Sequence, residues 1–233
     1  MWSPFSNHSP DLEPVIIRRS PRAKRMLLRV DARSGAVILT LPPRVPEAEG
    51  LAFVERQRAW IARTRSALAP VGGFGIGDSV PILGQSHQIL HDPASPRQPQ
   101  RDDAARTLTV GGEATEVANR VRRYLRAEAQ DLLLQKTRDT AARLGRGFSR
   151  IRVGDPRSRW GSCTSGGTIS YSWRLVMAPD WVVDYVVAHE VAHLAEMNHS
   201  PRFWKLVDEL VPHRARARAW LRKNGAALQR MGN

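Results

Sequence analysis

Short apolar runs separated by turn residues dominate the N-terminal part of the chain. Three such runs lie at residues 15–17, 26–30 and 36–41. Runs of this length, bounded by turn residues such as those at 33–35, are typical of β-strands. The pattern predicts a β-meander over residues 15–41. Residues 1–14 contain three prolines among small polar residues and predict a flexible tail.

Helical periodicity appears further along the chain. Apolar residues recur at helical spacing over residues 47–68 and again over about 113–144, which predicts one medium and one long helix. Between them the pattern predicts a hairpin over 80–90, a polar loop over 92–103 and a strand over 107–110. Two further strands are expected after the long helix, at 151–153 and 168–175.

A nearly all-apolar run, residues 181–188, leads directly into His189-Glu190-Val191-Ala192-His193. Residues four apart share one face of a helix, so His189 and His193 can bind one ion while Glu190 reaches a water on it. The alternative is a chance match with solvated histidines, because the motif is short. The apolar run argues against chance, since burying a polar group without a partner costs about 1–3 kcal/mol. The segment predicts a catalytic zinc site.

His199 follows His193 by six residues, the spacing of the third histidine ligand in the metzincin pattern. That pattern has glycine where this chain has Glu196, so the turn that brings His199 back is expected at Asn198. Glu196 and Glu209 are the alternative third ligands. His199 is preferred because a carboxylate one turn beyond His193 is more often solvated.

Capping residues bound the predicted helices. Asp180 is expected to cap the metal helix with its side chain, and Ser200, followed by Pro201, is expected to cap the next one. Gly225 is placed to end the last helix.

Composition favours a soluble protein of a reducing compartment. The 233 residues suffice for one large domain or two small ones. The single cysteine, Cys163, excludes an intramolecular disulfide, and the first residues lack the pattern of a signal peptide. No apolar stretch reaches the length of a membrane span. These features predict a cytoplasmic location and no membrane partner, and they leave the oligomeric state open.

The charge balance is strongly positive. Lysine and arginine together number 36 against 22 aspartates and glutamates, for a formal net charge of +14. This charge supports a nucleic-acid or other polyanion partner, with residues 213–218 among the densest basic runs. The alternative is that the many arginines reflect GC-rich coding, because basic residues are spread through the whole chain.

The chain resembles the YgjP-like zinc metallopeptidase family, which is related to the SprT-like proteases. The resemblance extends over about 15–225 and is most specific in four segments: Arg159-Trp160-Gly161-Ser162-Cys163, Trp173-Arg174-Leu175, the HExxH motif, and Asn198-His199-Ser200-Pro201-Arg202-Phe203-Trp204. It implies a zinc-dependent hydrolase with ligands His189, His193 and His199 and a catalytic Glu190. The chain departs from the family pattern at 167–168, 172 and 213, none of which is a ligand.

The predicted fold class is α+β. An N-terminal β-meander and helix belong to a β-rich region over 15–112, and a zincin-like catalytic region over 113–225 combines a small antiparallel sheet with the HExxH helix. Residues 226–233 are expected to form a frayed tail.

The leading functional hypothesis is a zinc metallopeptidase that cleaves protein or peptide substrates. Glu190 is the expected general base, and an extended peptide is expected to pair with the strand over 168–173. Tyr171, His213 and Arg214 are the candidates for stabilising the oxyanion. Two alternatives remain open: a metal-dependent nucleoside triphosphate pyrophosphatase, an activity proposed among YgjP-like members, and a non-catalytic nucleic-acid-binding module. Cys163 is expected to be a small buried residue.

Overall fold

The computed structural model describes residues 15–31, 35–66, 72–156 and 159–232. Contacts between Cα atoms divide the chain into two compact units, within residues 1–70 and 71–233, and each unit has its own hydrophobic core. The tail predicted for residues 1–14 lies outside the described residues. The architecture is α+β, as the sequence predicts.

The N-terminal unit combines a three-stranded sheet with two helices. Its elements are β1 (Ile16–Arg19), β2 (Leu27–Val30), β3 (Val37–Leu41), α1 (Glu47–Arg56) and α2 (Arg58–Ser66). The three predicted strands are present, but the order is β1-β3-β2 with β1 parallel to β3, so the sheet is mixed rather than a meander. β3 takes the centre because its side chains are the most apolar and are almost all buried, whereas β1 and β2 are largely exposed.

The helix predicted over 47–68 is two helices that meet at Gln57. Val54 of α1 and Ile61 of α2 pack into the core of this unit together with β3. Gly50 allows the close approach, because a Cβ atom there would lie 2.7 Å from a methyl carbon of Leu41.

The C-terminal unit contains the remaining elements. They are β4 (Ser79–Ile82), β5 (Gln85–His91), β6 (Gln100–Asp102), β7 (Thr107–Val110), α3 (Val117–Arg143), β8 (Arg150–Gly154), β9 (Gly161–Cys163), β10 (Thr168–Ser172), α4 (Asp180–Ala192), α5 (Pro201–Leu210) and α6 (Arg214–Arg230). α3 buries one residue in each turn, which is the periodicity that predicts it.

Strands β4 to β7 form a four-stranded sheet in the order β4-β5-β7-β6. The predicted hairpin is present, and it turns at Leu83 and Gly84, which both have positive φ. The loop predicted over 92–103 contains the short strand β6. These strands share one hydrophobic core with α3, although the sequence analysis assigns them to an N-terminal region over 15–112.

The second sheet has the order β8-β10-β9. β10 is parallel to β8 and antiparallel to β9, so this sheet is mixed rather than antiparallel as predicted. The strand predicted over 168–175 ends at Ser172, whose hydroxyl accepts a hydrogen bond from the backbone N–H of Arg174 and begins a 3-10 helix, Trp173–Met177. Both edges of β10 are therefore paired, and β9 is an edge strand.

α4 is buried around most of its circumference, as its apolar sequence predicts. It begins after Pro179, and Asp180 does not cap it with its side chain. Lys136 of α3 instead contacts Asp180 at 2.9 Å and Asp184 at 2.6 Å. The prediction of an Asp180 cap is wrong because Pro179 occupies the cap position and Asp180 is already the first helical residue.

Local contacts determine where α5 begins and where α6 ends. The Ser200 hydroxyl accepts a hydrogen bond from the Phe203 N–H at 3.2 Å, which confirms the predicted cap, and Pro201 is the first helical residue. α6 continues through Gly225 to Arg230, so the predicted end at Gly225 is wrong. A Cβ atom at Gly225 would lie 3.2 Å from the Trp160 ring, so this glycine serves helix packing rather than termination.

Among the described residues, no helix is both long enough and apolar enough to cross a lipid bilayer.

A buried hydrogen bond joins α3 to the second sheet and provides a test of the packing. Thr137, fully buried on α3, shares a hydrogen bond of 3.0 Å with the Tyr171 hydroxyl. We expect Thr137→Val to lower the free energy of unfolding by about 1–3 kcal/mol, because the Tyr171 hydroxyl then stays buried without a partner. Urea unfolding measures this change.

Thr140→Val is the matched control, because Thr140 lies half-buried on the same helix and makes no side-chain hydrogen bond to another described residue. It should change stability by no more than about 0.5 kcal/mol. Equal losses in the two variants would show that the hydroxyl pair contributes nothing specific.

Candidate metal centre

α4 and the segment after it bring three histidines together. His189 lies in the last turn of α4, His193 follows its final residue, and His199 lies just before α5. Their ligand nitrogens lie within 4.8 Å of one another, and the Nε2 atoms of His189 and His199 are 3.1 Å apart. Two ligands at about 2.0–2.1 Å from a tetrahedral ion would be ~3.3 Å apart. The cluster therefore fits a single metal ion, and it is the one such group in the described ranges.

The chain between the second and third histidines turns without a residue in the left-handed conformation. The turn involves Asn198, as expected, but Asn198 does not adopt the left-handed conformation to which this residue type is suited. The backbone N–H of Ser200 instead donates a 2.7 Å hydrogen bond to the Asn198 carbonyl, a turn closed over three residues. This tight turn brings His199 back to the end of α4.

Two aromatic residues of α5 pack against the histidine rings. Trp204 stacks on His199 with 5.5 Å between ring centroids, and the Phe203 ring lies 4.5 Å from that of His193 and 5.0 Å from that of His189. The Ser200 cap fixes where α5 begins and so fixes both aromatic side chains. The rings restrict the imidazole orientations, which favours a preformed site.

The carboxylates considered as third ligands lie outside the cluster. Glu196 contributes its main-chain carbonyl, which accepts a 3.1 Å hydrogen bond from Nδ1 of His193. A bond at Nδ1 leaves Nε2 of His193 free to bind an ion. The Glu209 carboxylate lies 3.9 Å from the Lys205 ammonium group on the exposed face of α5.

Burial keeps two of the imidazoles neutral. It lowers the pKa of His189 to about 4, and the nearby charges of His193, His199 and Arg218 act in the same direction. Burial also lowers the pKa of His193. A metal ion binds the neutral imidazole, so at neutral pH neither residue has to lose a proton first.

Glu190 lies beside the cluster with 5% of its surface exposed. Burial raises the pKa of its carboxyl group to about 7, although the positive charge of Arg159 acts in the opposite direction. A group with a pKa close to the working pH can both accept and return a proton. The environment of Glu190 is therefore suited to proton transfer.

Gly161 on β9 packs directly against the Glu190 side chain. A Cβ atom at this position would lie 2.5 Å from Oε1 and 2.6 Å from Cγ of Glu190. Contacts this short do not occur between real atoms, so only glycine leaves the carboxylate where it is. The sequence Arg159-Trp160-Gly161 gives no indication of this role, because the two residues meet only in the folded chain.

Cys163 is half-buried on the same strand, and burial together with the charge of Glu190 raises the pKa of its thiol to about 11. The thiol is therefore protonated at neutral pH, which excludes it as a nucleophile.

The residues predicted to stabilise the oxyanion are occupied elsewhere. The Tyr171 hydroxyl is buried against Thr137, and Nε2 of His213 lies 2.7 Å from the Trp181 carbonyl. The Arg214 guanidinium makes hydrogen bonds of 2.6 and 2.9 Å to the Asp208 carboxylate.

Two residues near the cluster were not predicted. Tyr185 lies one turn before His189 on the same face of α4, with 6.0 Å between ring centroids. Its spacing of four residues from His189 is a signal that the sequence contains. Arg218 of α6 lies with its guanidinium carbon 5.6 Å from the centroid of the Trp204 ring, and no local pattern places it there.

The basic run at 213–218 packs against aromatic residues. Arg216 lies 4.3 Å from the centroid of the Trp181 ring, and Arg214 lies 4.9 Å from that of Trp204. These contacts, and the pair between Arg214 and Asp208, give part of the positive charge a structural role.

Three converging histidines, two of them in an HExxH motif, are typical of a metal-dependent hydrolase. The YgjP-like metallopeptidase domain matches residues 24–224, so the chain belongs to the YgjP-like metallopeptidase family, as its sequence resemblance implies. This membership supports a peptidase with protein or peptide substrates.

Among solved structures, the chain is similar to the crystal structure of the metallopeptidase zymogen of Pyrococcus abyssi abylysin. The identity is 24%, the match covers 41% of this chain and 93% of that chain, and the TM-score is 0.34. A likeness at this level does not establish a shared fold. A comparison with curated proteins gives no significant match.

The metal-binding role of each histidine can be tested by substitution. We expect His189→Ala, His193→Ala and His199→Ala each to lose most of the bound metal, because each removes one of three ligand nitrogens. Glu196→Ala and Glu209→Ala are the matched controls and should retain the metal. Metal content after purification measures the effect, and loss of metal in either glutamate variant but not in His199→Ala would show that the third ligand is misassigned.

Gly161→Ala tests the contact between β9 and Glu190. We expect this variant to keep its metal and to displace the Glu190 carboxylate, and displacement of a group that takes part in a reaction by about 1 Å lowers the rate by about 10²-fold. Hydrolysis of an unfolded protein measures the loss. Gly147→Ala is the control, since an added Cβ there meets nothing within 4 Å. Full activity of Gly161→Ala would show that the carboxylate tolerates displacement.

Proposed function

We propose that this protein is a zinc peptidase in which His189, His193 and His199 hold the ion and Glu190 transfers protons. The observation that carries the proposal is the convergence of three imidazole groups, with ligand nitrogens within 4.8 Å of one another, next to the nearly buried carboxyl group of Glu190 on the same helix. Three nitrogen ligands and one open position are typical of catalytic zinc, whereas structural zinc sites are closed by four protein ligands. A zinc ion held there would supply Lewis acidity for the attacking water and the scissile carbonyl.

Glu190 performs the proton transfers. Its carboxylate accepts the proton of the attacking water and then returns it to the leaving amine nitrogen. Burial raises the pKa of the carboxyl group and makes it a stronger base than an exposed glutamate, and the contact with Gly161 holds it in one position. The same environment therefore favours both steps.

The sequence analysis predicts that a peptide pairs with the strand over 168–173, and the sheet topology requires a different strand for this role. β10 is paired with β8 on one edge and with β9 on the other, so the 168–173 segment has no free edge for a peptide. No strand among the described residues pairs with β9 on the side away from β10. We therefore assign peptide pairing to β9.

The hydrogen-bond pattern of β9 supports this assignment. Trp160 and Thr164 bond with β10 through Ser172 and Thr168, respectively, at 2.9 and 3.0 Å. Alternate residues of an antiparallel strand face opposite edges, so Gly161 and Cys163 direct their N–H and C=O groups away from β10. A peptide paired with those groups lies next to the residue that touches Glu190.

Arg218 is the cation best placed to stabilise negative charge on the substrate. Burial is the main cause of the lowered pKa of His189 and of the raised pKa of Tyr185, and the charge of Arg218 adds to the first shift and opposes the second. The guanidinium is therefore near both rings. It is exposed and is not in an ion pair with any described carboxylate, whereas Arg214 is bound to Asp208. Permanent charge suits arginine to this role.

Glu190→Gln is the decisive variant. We expect it to retain zinc and the fold but to lose about 10²–10⁴-fold in the rate of peptide hydrolysis, because the amide cannot accept a proton. Hydrolysis of unfolded casein, with zinc content and thermal unfolding measured in parallel, checks each part. Glu209→Gln is the control for loss of a carboxylate far from the cluster.

The same preparations distinguish the alternative activities when nucleoside triphosphates replace casein. Release of pyrophosphate that disappears in Glu190→Gln, with no cleavage of protein, would reject the peptidase in favour of the pyrophosphatase. Unchanged casein hydrolysis in Glu190→Gln would reject the proposed base.

A further inference from the structure

The outer face of the second sheet carries arginines and hydroxyl groups in one row. Ser170 of β10 is directly opposite Arg152 of β8 and Ser162 of β9. Directly opposite residues point to the same face of a sheet, and Arg152 is exposed. Gly161, one residue from Ser162, faces the other way, towards Glu190. The row therefore lies on the face of the sheet opposite to the metal centre. Within β9, its member Ser162 is the residue next to Gly161.

A cavity of about 400 Å³ opens at this row. Its lining includes Arg152, Arg159, Ser162 and Ser170, together with Gly161 of the edge strand. It reaches from the middle of the sheet to the strand on which peptide pairing is proposed. Its size is sufficient for a side chain of the substrate.

The charge of the cavity is positive. Asp155, the carboxylate in the lining, is paired with the guanidinium of the buried Arg174. Arg152 and Arg159 are both exposed. Arg159 also lies near enough to Glu190 for its charge to act on that carboxyl group, so it stands between the cavity and the metal centre. Two guanidinium groups beside two hydroxyl groups are donors for an anionic ligand.

We infer that this cavity is a subsite for an acidic side chain of the peptide substrate, bound by Arg152 and Arg159. The inference rests on the proposed peptidase function. A peptide paired with β9 alternates its side chains between the two faces of the sheet, so a residue next to the one at the metal centre points to the outer face. There it meets Ser162 and the cavity. A carboxylate matches the fixed charge of the arginines, whereas a lysine or arginine side chain would be repelled.

A binding experiment with Glu190→Gln tests the subsite without turnover. Two pairs of fluorescent peptides taken from one extended segment of casein are titrated into the zinc-loaded variant. The members of the first pair differ only in having Glu or Gln at a central residue, and those of the second pair differ only at the residue after it. One charge-assisted pair predicts a preference for the acidic peptide of about 10-fold or more at one of the two positions. The preference should shrink at high salt, because the arginines are exposed.

Substitutions assign the preference to the cavity. Arg152→Gln and Arg159→Gln, each combined with Glu190→Gln, should bring the two affinities to within about twofold, and Arg152→Glu should reverse the preference towards a peptide with Lys at that position. Arg138→Gln, which removes an exposed arginine from α3, is the control and should leave the preference unchanged.

The outcomes separate the inference from the proposed function. Equal affinity for the Glu and Gln peptides at both positions, or a preference that survives both substitutions, would overturn the acidic subsite even if casein is hydrolysed. A single-stranded oligonucleotide could instead displace the acidic peptide. If it bound more tightly than the peptide, and if its binding required Arg152, the cavity would be assigned to nucleic acid. Failure of the wild type to cleave casein, with an Arg152-dependent preference intact, would reject the peptidase and retain an acidic-peptide site.

Discussion

Burial of α4 is the constraint on which the C-terminal unit depends. The helix is apolar along most of its length, yet its last turn carries His189 and Glu190. The core around it therefore has to accommodate polar groups that cost free energy when they lack partners. The three histidines converge, so that a single cation could bind all of them, and burial raises the pKa of Glu190 and so favours its uncharged form. The chemistry of the site is thus a direct result of where the helix is buried.

Close packing then sets the positions of Glu190 and of the histidine rings. Gly161 brings the backbone of β9 against the Glu190 carboxylate, and the rings of Phe203 and Trp204 pack against the imidazoles. These contacts come from three separate segments of the chain. On the proposed function, main-chain groups at the outer edge of β9 and side chains on α4 would act on one extended peptide.

The features that could be predicted from the sequence are those with a local pattern. The long helix, the HExxH helix and the Ser200 cap each follow from periodicity or from neighbouring residues. The pairing of the strands could not be predicted in this way, because it depends on which strand is the most apolar and on what covers the two faces of that strand. β10 was expected to offer an edge to the substrate, and nothing in 168–175 shows that both its edges are occupied. Arg218 and Gly161 were missed because their contacts join residues far apart in the chain.

The three histidines all lie within eleven consecutive residues, 189–199, whereas the partners of Glu190 come from an earlier strand. On the proposed function, the ligand nitrogens come from one short segment, whereas the position of the base depends on the assembled core. A chain in which β9 has come away from α4 would then keep its three ligands but lose the contact that positions Glu190. Such a chain would be a metal carrier without being a catalyst.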